Sequence, residues 1–214
     1  ADMCKLSRDR ICFVAESRLL KHLCDYLKTE SEIKSQTLSV IMELYLVADV
    51  DQDSMMKLLE DNLISIYLDN LTQSYWCTKA ITAILSLLSK KEYHIEKMLL
   101  NEDSLGKFRK GLELVNQDNA PTYISKIIGI CQQSTNFLKK ILNEKLVKII
   151  IEKFKMSSQV PVSLLELIYA ILKKDAANVK ILNIPKLKAI VQNFNKCDNL
   201  KQKTLAKLII PFFN

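Results

Sequence analysis

The acidic residues cluster most tightly at Asp49-Val50-Asp51-Gln52-Asp53, with Glu60 just beyond. Counting Asp49 as one, carboxylates fall at places one, three, five and twelve, the order in which an EF-hand loop surrounds calcium with oxygen. The sixth place of such a loop needs glycine for a sharp turn, and here it is Ser54; the ninth is Lys57. Met55–Leu59 also continues in a helical pattern, so the plainer reading is an acidic turn in which Asp53 or Ser54 caps the next helix. His22 and Cys24 stand two apart on a helix and do not share a face, and His94 is alone beside Tyr93. No Gly-x-Ser-x-Gly, no phosphate-cradling glycine loop and no His-Glu-x-x-His occurs. These residues supply no acid–base pair, no activated nucleophile and no metal-ligand set. The expectation is a protein without enzymatic activity, metal or cofactor.

What remains is lysine chemistry, set at comparable places of one recurring stretch. Glu144–Phe154 reads Glu-Lys-Leu-Val-Lys-Ile-Ile-Ile-Glu-Lys-Phe, and Asp61–Leu71, Asp103–Glu113 and Pro185–Asn195 are versions of it. Their first leucines are Leu63, Leu105, Leu146 and Leu187, so the steps are 42, 41 and 41 residues. An apolar residue follows three places later each time: Ile66, Phe108, Ile149 and Ile190. Two places after the leucine stand Ser65, Lys107, Lys148 and Ala189, and Lys21 is near that place in an earlier copy with Leu20 and Leu23. Lys110, Lys155, Lys188 and Lys196 lie around the same positions, with Tyr67 and Arg109 among them.

Repetition at this period requires a helical solenoid, in which one unit cannot hide its apolar stripe and stacking does. Helices are expected over 3–15 and 17–28, after which each unit follows one plan. A long apolar helix comes first (Glu32–Ala48, Ser74–Ser89, Ala120–Cys131, Val160–Lys174), and a short one follows (Ser54–Glu60, Tyr93–Leu100, Thr135–Leu142, Ala176–Leu182). The lysine-bearing helix closes the unit. Asp103 or Ser104, and Asn143, stand where side-chain oxygens cap exposed amides; Pro121, Pro161 and Pro185 suit a first turn. The expected units are 32–73, 74–115, 116–156 and 157–197, with partial units at 1–31 and 198–214, all in one domain. The terminal Pro211-Phe212-Phe213 has no evident reason to face water, which points to a chain continuing beyond it within a longer protein.

Three helices in about 42 residues, with leucine fixed in the third, resembles the armadillo repeat, the two-helix HEAT repeat being the nearest alternative. The resemblance covers about residues 30–214, and it departs from the family in lacking the turn glycines before the third helix. It implies an all-α, right-handed α-solenoid with about four units plus partial units at both ends. It also implies that the third helices line a concave groove. On that reading Lys21, Tyr67, Lys107, Arg109, Lys110, Lys148, Lys155, Lys188 and Lys196 would hold an acidic or amphipathic segment of a protein partner, each lysine taking a carboxylate or phosphate. The plainer reading is that any solvated helix face carries lysines. Members that take basic signals use tryptophan–asparagine pairs along the groove, but here the only tryptophan is Trp76 and Ala80 stands at the partner place. The alternative function is nucleic-acid binding through the same lysines, against which no aromatic residue interleaves with them to stack bases.

Composition agrees. Only 3 glycines and 4 prolines in 214 residues leave little turn chemistry for a sheet, and 49% hydrophobic content suffices for a continuous core. The net charge of +7 suits an acidic peptide, an anionic surface or nucleic acid, and bears on solubility and steering rather than fold. Six cysteines without paired short spacing read as buried free thiols in a reducing, intracellular setting. No stretch of about 18 apolar residues occurs, so no membrane insertion is expected.

Overall fold

The structure, a computed structural model, describes residues 63–213 apart from 74–75, 90–92, 157–158 and 175–178, together with His22, Asp25 and Thr37. Lys21, the Asp49–Glu60 pattern, the helices expected before residue 63, and Cys4, Cys12 and Cys24 lie outside the described residues. Backbone contacts divide the chain into Ala1–Asn70 and Leu71–Asn214. In the first unit, α1 (Leu63–Asn70) buries Ile64, Ile66, Tyr67 and Leu68, and the Asn70 amide donates to the Ile66 carbonyl at 2.8 Å.

The second unit repeats a long–short–medium order: α2 (Cys77–Ser89), α3 (Tyr93–Leu99), α4 (Glu102–Leu114); α5 (Ala120–Gln133), α6 (Thr135–Ile141), α7 (Glu144–Lys153). Then come α8 (Gln159–Lys174), α9 (Val179–Leu182) and α10 (Pro185–Phe194), and α11 (Leu200–Ile209) runs into a 3-10 turn, Ile210–Phe213. All regular elements among the described residues are helical, and none is long and apolar enough to cross a membrane.

Short polar residues set the helix starts. Asn101, Ser134, Asn143 and Asn199 each accept from a backbone amide three residues on, at 2.7–3.1 Å. Asn143 was expected in that role. For α4 the cap is Asn101, and the expected Asp103 and Ser104 lie inside the helix, because Glu102 already has helical geometry.

The repeat leucines hold equivalent settings: Leu105, Leu146 and Leu187 are all buried near the start of α4, α7 and α10. Three places on, Phe108 is buried but Ile149 and Ile190 are half-exposed; there burial moves one place further, to Ile150 and Val191. The shift goes with the caps. Leu105 lies four residues after Asn101, whereas Leu146 and Leu187 lie three after Asn143 and Ile184, and one residue turns a helix face by about 100°.

Successive layers are tied at the repeat interval. Gln133 Nε2 donates to Ser89 Oγ at 2.8 Å, Lys140 Nζ to the Leu100 carbonyl at 3.2 Å, and Lys174 Nζ to the Gln132 carbonyl at 2.8 Å. Phe108 and Phe137 meet edge to face, with centroids 4.9 Å apart. At the end of the unit Phe213 is buried in the turn packed on α10 and α11, so it finds cover within this chain.

Candidate functional site

The lysine-bearing helices and the long helices form two different faces of the second unit. Of the groove residues expected from sequence, Tyr67 and Arg109 sit four places after their repeat leucines. That is the core place held by Ile150 and Val191, and they are 0% and 7% exposed respectively. Neither presents itself to a partner. This corrects the expectation: the aromatic ring and the guanidinium's alkyl stem fill the apolar slot of their copies, and Arg109 reaches Glu102 at 3.3 Å from inside it.

The expected lysines are mostly engaged locally. Lys107 pairs with Asp103 at 2.6 Å and Lys110 with Glu113 at 3.0 Å, and Lys155 pairs with Glu152. Lys188 donates to the Phe213 carbonyl at 3.0 Å, tying α10 to the C-terminal turn. Lys148 and Lys196 are exposed. None of them lines the larger hollow of the long helices, and Lys148 borders a cavity of about 410 Å³ with Glu113, Ile149, Glu152, Lys153 and Met156.

The larger concavity lies on the long helices. A hollow of about 840 Å³ runs across α2, α5, α8 and α11, since each long helix packs along the next. Its apolar surface is half-exposed: Leu85, Ile128, Tyr169, Ala170 and Leu205. Ser125, Ile128, Gly129 and Gln132 on α5 correspond, 41 residues on, to Glu166, Tyr169, Ala170 and Lys173 on α8. The same repeat places therefore face the hollow in both layers. Gly129 opens it, because a Cβ there would lie 2.8 Å from Leu85 Cδ2.

Lys126, Lys173 and Lys174 bring positive charge to this hollow. Lys174 also caps the end of α5 through the Cys131 and Gln132 carbonyls, where a cation meets the negative end of the helix dipole. The one carboxylate in the lining, Glu166, is taken by Lys201 at 2.8 Å. Behind this surface burial pushes the Cys131 thiol up to about 12, against the smaller opposing effect of Lys174, which leaves it a packed apolar group. The arrangement offers an apolar floor flanked by lysines. Sequence reasoning missed these residues, although a signal existed: the 41-residue correspondence of α5 and α8 carries the lining at repeating places.

Comparison with descriptions of protein families gives no match, and comparison with curated proteins gives none. Among solved structures, the chain is similar to an engineered protein with a TM-score of 0.71 at 10% identity, covering 99% of this chain and 86% of that one. It is also similar to computationally designed armadillo repeat proteins for modular peptide recognition, with a TM-score of 0.68 at 16% identity, covering 96% and 87%. At such identities the likeness shows the fold, an all-α solenoid of armadillo-like repeats.

Proposed function

We propose that this armadillo-like solenoid is a non-enzymatic, intracellular binding module that holds an extended, acidic segment of a protein partner in the hollow across α2, α5, α8 and α11. The supporting observation is the hollow itself, with half-exposed apolar side chains at repeating places and Lys126 and Lys173 beside them. Apolar side chains of the segment would anchor on Tyr169 and Leu205, and its carboxylates would meet the lysines, which fix register and speed encounter. That a designed protein of this fold is described as made for peptide recognition agrees with the reading.

The test is charge reversal with the fold intact. Lys126→Glu combined with Lys173→Glu is expected to weaken capture of a fluorescent glutamate- and leucine-rich peptide about tenfold, with an unchanged thermal melt. Lys107→Glu with Lys148→Glu is the comparison, because those lysines lie on the other face. If only the comparison pair weakens binding, the partner uses the α4–α7–α10 face.

Nucleic acid is the second reading, favoured by the 23 basic against 11 acidic residues of Leu71–Asn214. It predicts tighter binding of a DNA duplex than of the peptide, with a steep salt dependence.

A further inference from the structure

Three half-exposed apolar side chains of the long-helix hollow stand at one repeat place. Cys77, Ile81 and Ile84 of α2 are matched 43 residues on by Ala120, Ile124 and Ile127 of α5, all buried, which aligns the two helices. On that alignment Leu85 matches Ile128, and Ile128 matches Tyr169 of α8, 41 residues further. The neighbouring place is small each time: Ser86, Gly129 and Ala170. The hollow therefore carries a row of three apolar rungs, one per layer, beside a row of small residues. Gly129 lets Leu85 lie against α5, since a Cβ there would meet Leu85 Cδ2 at 2.8 Å.

The step from rung to rung is one helix-to-helix distance, about 8–10 Å. A segment that crosses the layers and meets every rung must repeat its own side chains, on one side, at that step. In a β-extended chain same-side residues lie two apart, about 6.6–6.8 Å, and fall short of the third rung. In polyproline II the same side returns at every third residue, after about 9.3 Å. An α-helix about 10 Å across and two steps long would displace about 1,500 Å³. The hollow offers about 840 Å³.

Resting on the reading of this hollow as a peptide site, we infer that the bound segment lies in the polyproline II conformation. It carries an apolar side chain at every third residue, one against each of Leu85, Ile128 and Tyr169. Carboxylates at the residues between them face Lys126 and Lys173, which border the same hollow. Polyproline II has no internal hydrogen bonds, so proline is tolerated at every place between the anchors.

The test is fluorescence anisotropy of the full chain with labelled ten-residue peptides of one composition, three leucines among glutamates and alanines. The peptide with leucine at every third residue is expected to bind about tenfold more tightly than those with leucines two or four apart. Replacing its alanines by proline is expected to keep or raise that affinity. Ile128→Ala is expected to weaken the every-third peptide about fivefold with an unchanged thermal melt. The same variant should leave unchanged the affinity of a version whose middle leucine is alanine, because the pair no longer exists. Equal or tighter binding of the two-apart or four-apart peptide, or loss of binding with proline, overturns the conformation and leaves the peptide-binding reading standing. Binding of none of the peptides overturns that reading and this inference together.

Discussion

Lys153 occupies the place, seven residues after the repeat leucine, that Leu112 fills in α4 and Phe194 in α10. A charged amine in that slot costs stability, and the cost depends on pH. Its pKa in the folded chain is lowered from 10.5, chiefly by desolvation. Between the folded value and 10.5 the unfolded chain binds more protons, so stability rises with pH across that window and the penalty is whole below it. Lys153→Met should therefore stabilise the chain by about 1 kcal/mol at neutral pH, the lost bond to Val115 offsetting part of the gain. That advantage should shrink as pH approaches 10.5, which urea melts at neutral and alkaline pH would reveal. A gain that does not change with pH would assign the cost to packing instead. Nothing in Glu152-Lys153-Phe154 marks that lysine as buried. The same limit explains Tyr67 and Arg109, since a polar side chain at a core place looks, in the sequence, like one offered to solvent.

At the scale of the helix, spacing was a reliable guide to where elements lie and a poor one to which way they face. The expected bounds of the long and the lysine-bearing helices from α5 onward agree with the structure to within two residues at each end, because caps such as Asn143 and prolines such as Pro121 and Pro185 are local signals. Direction is not local. A 41-residue recurrence shows that α4, α7 and α10 are equivalent, and it would read the same whichever face they turned to a partner. The side-by-side packing of α2, α5, α8 and α11, which makes the hollow, comes from contacts far apart in sequence. Two glycines of α4 test the packing around that helix. A Cβ on Gly111 would stand 2.3 Å from Tyr123 Oη and 2.5 Å from the Leu71 carbonyl, and the Tyr123 hydroxyl is held by donating to the Phe108 carbonyl at 3.1 Å. Gly111→Ala should cost about 2–3 kcal/mol, since backbone and a tethered ring cannot yield easily. Gly106 in the same helix has nothing within 4 Å of that position, so Gly106→Ala should instead stabilise by about 0.5–1 kcal/mol. Thermal melts of both variants read the contrast directly, and similar shifts for the two would show that the α4–α5 contact is looser than these distances state.

Over the whole chain the charge is divided unevenly. Residues 1–70 hold 8 basic against 13 acidic side chains, a net of −5, whereas Leu71–Asn214 hold 23 against 11, a net of +12. The overall +7 therefore understates the field of the unit that carries the hollow. Lys107, Lys110, Lys155 and Lys201 are paired with carboxylates already subtracted in that count, so the excess remains, and such exposed pairs add little stability on their own. Lys126 and Lys173 border an apolar floor, so an acidic segment seated there would gain from both charge and burial. The two contributions respond differently to salt. Raising ionic strength from ~0.05 M to ~0.5 M shortens the screening length to a few ångströms and should remove most of the lysine contribution. Burial of apolar side chains on Tyr169 and Leu205 should survive it. Peptide affinity measured by fluorescence anisotropy should therefore fall with salt and level off at a finite value, mainly through slower association. Tyr169→Ala should lower that plateau while leaving the salt-dependent part in place. An affinity that keeps falling without a plateau, and is stronger for a DNA duplex than for the peptide, would mean that the lysines bind phosphate backbone and that the apolar floor has no part in recognition.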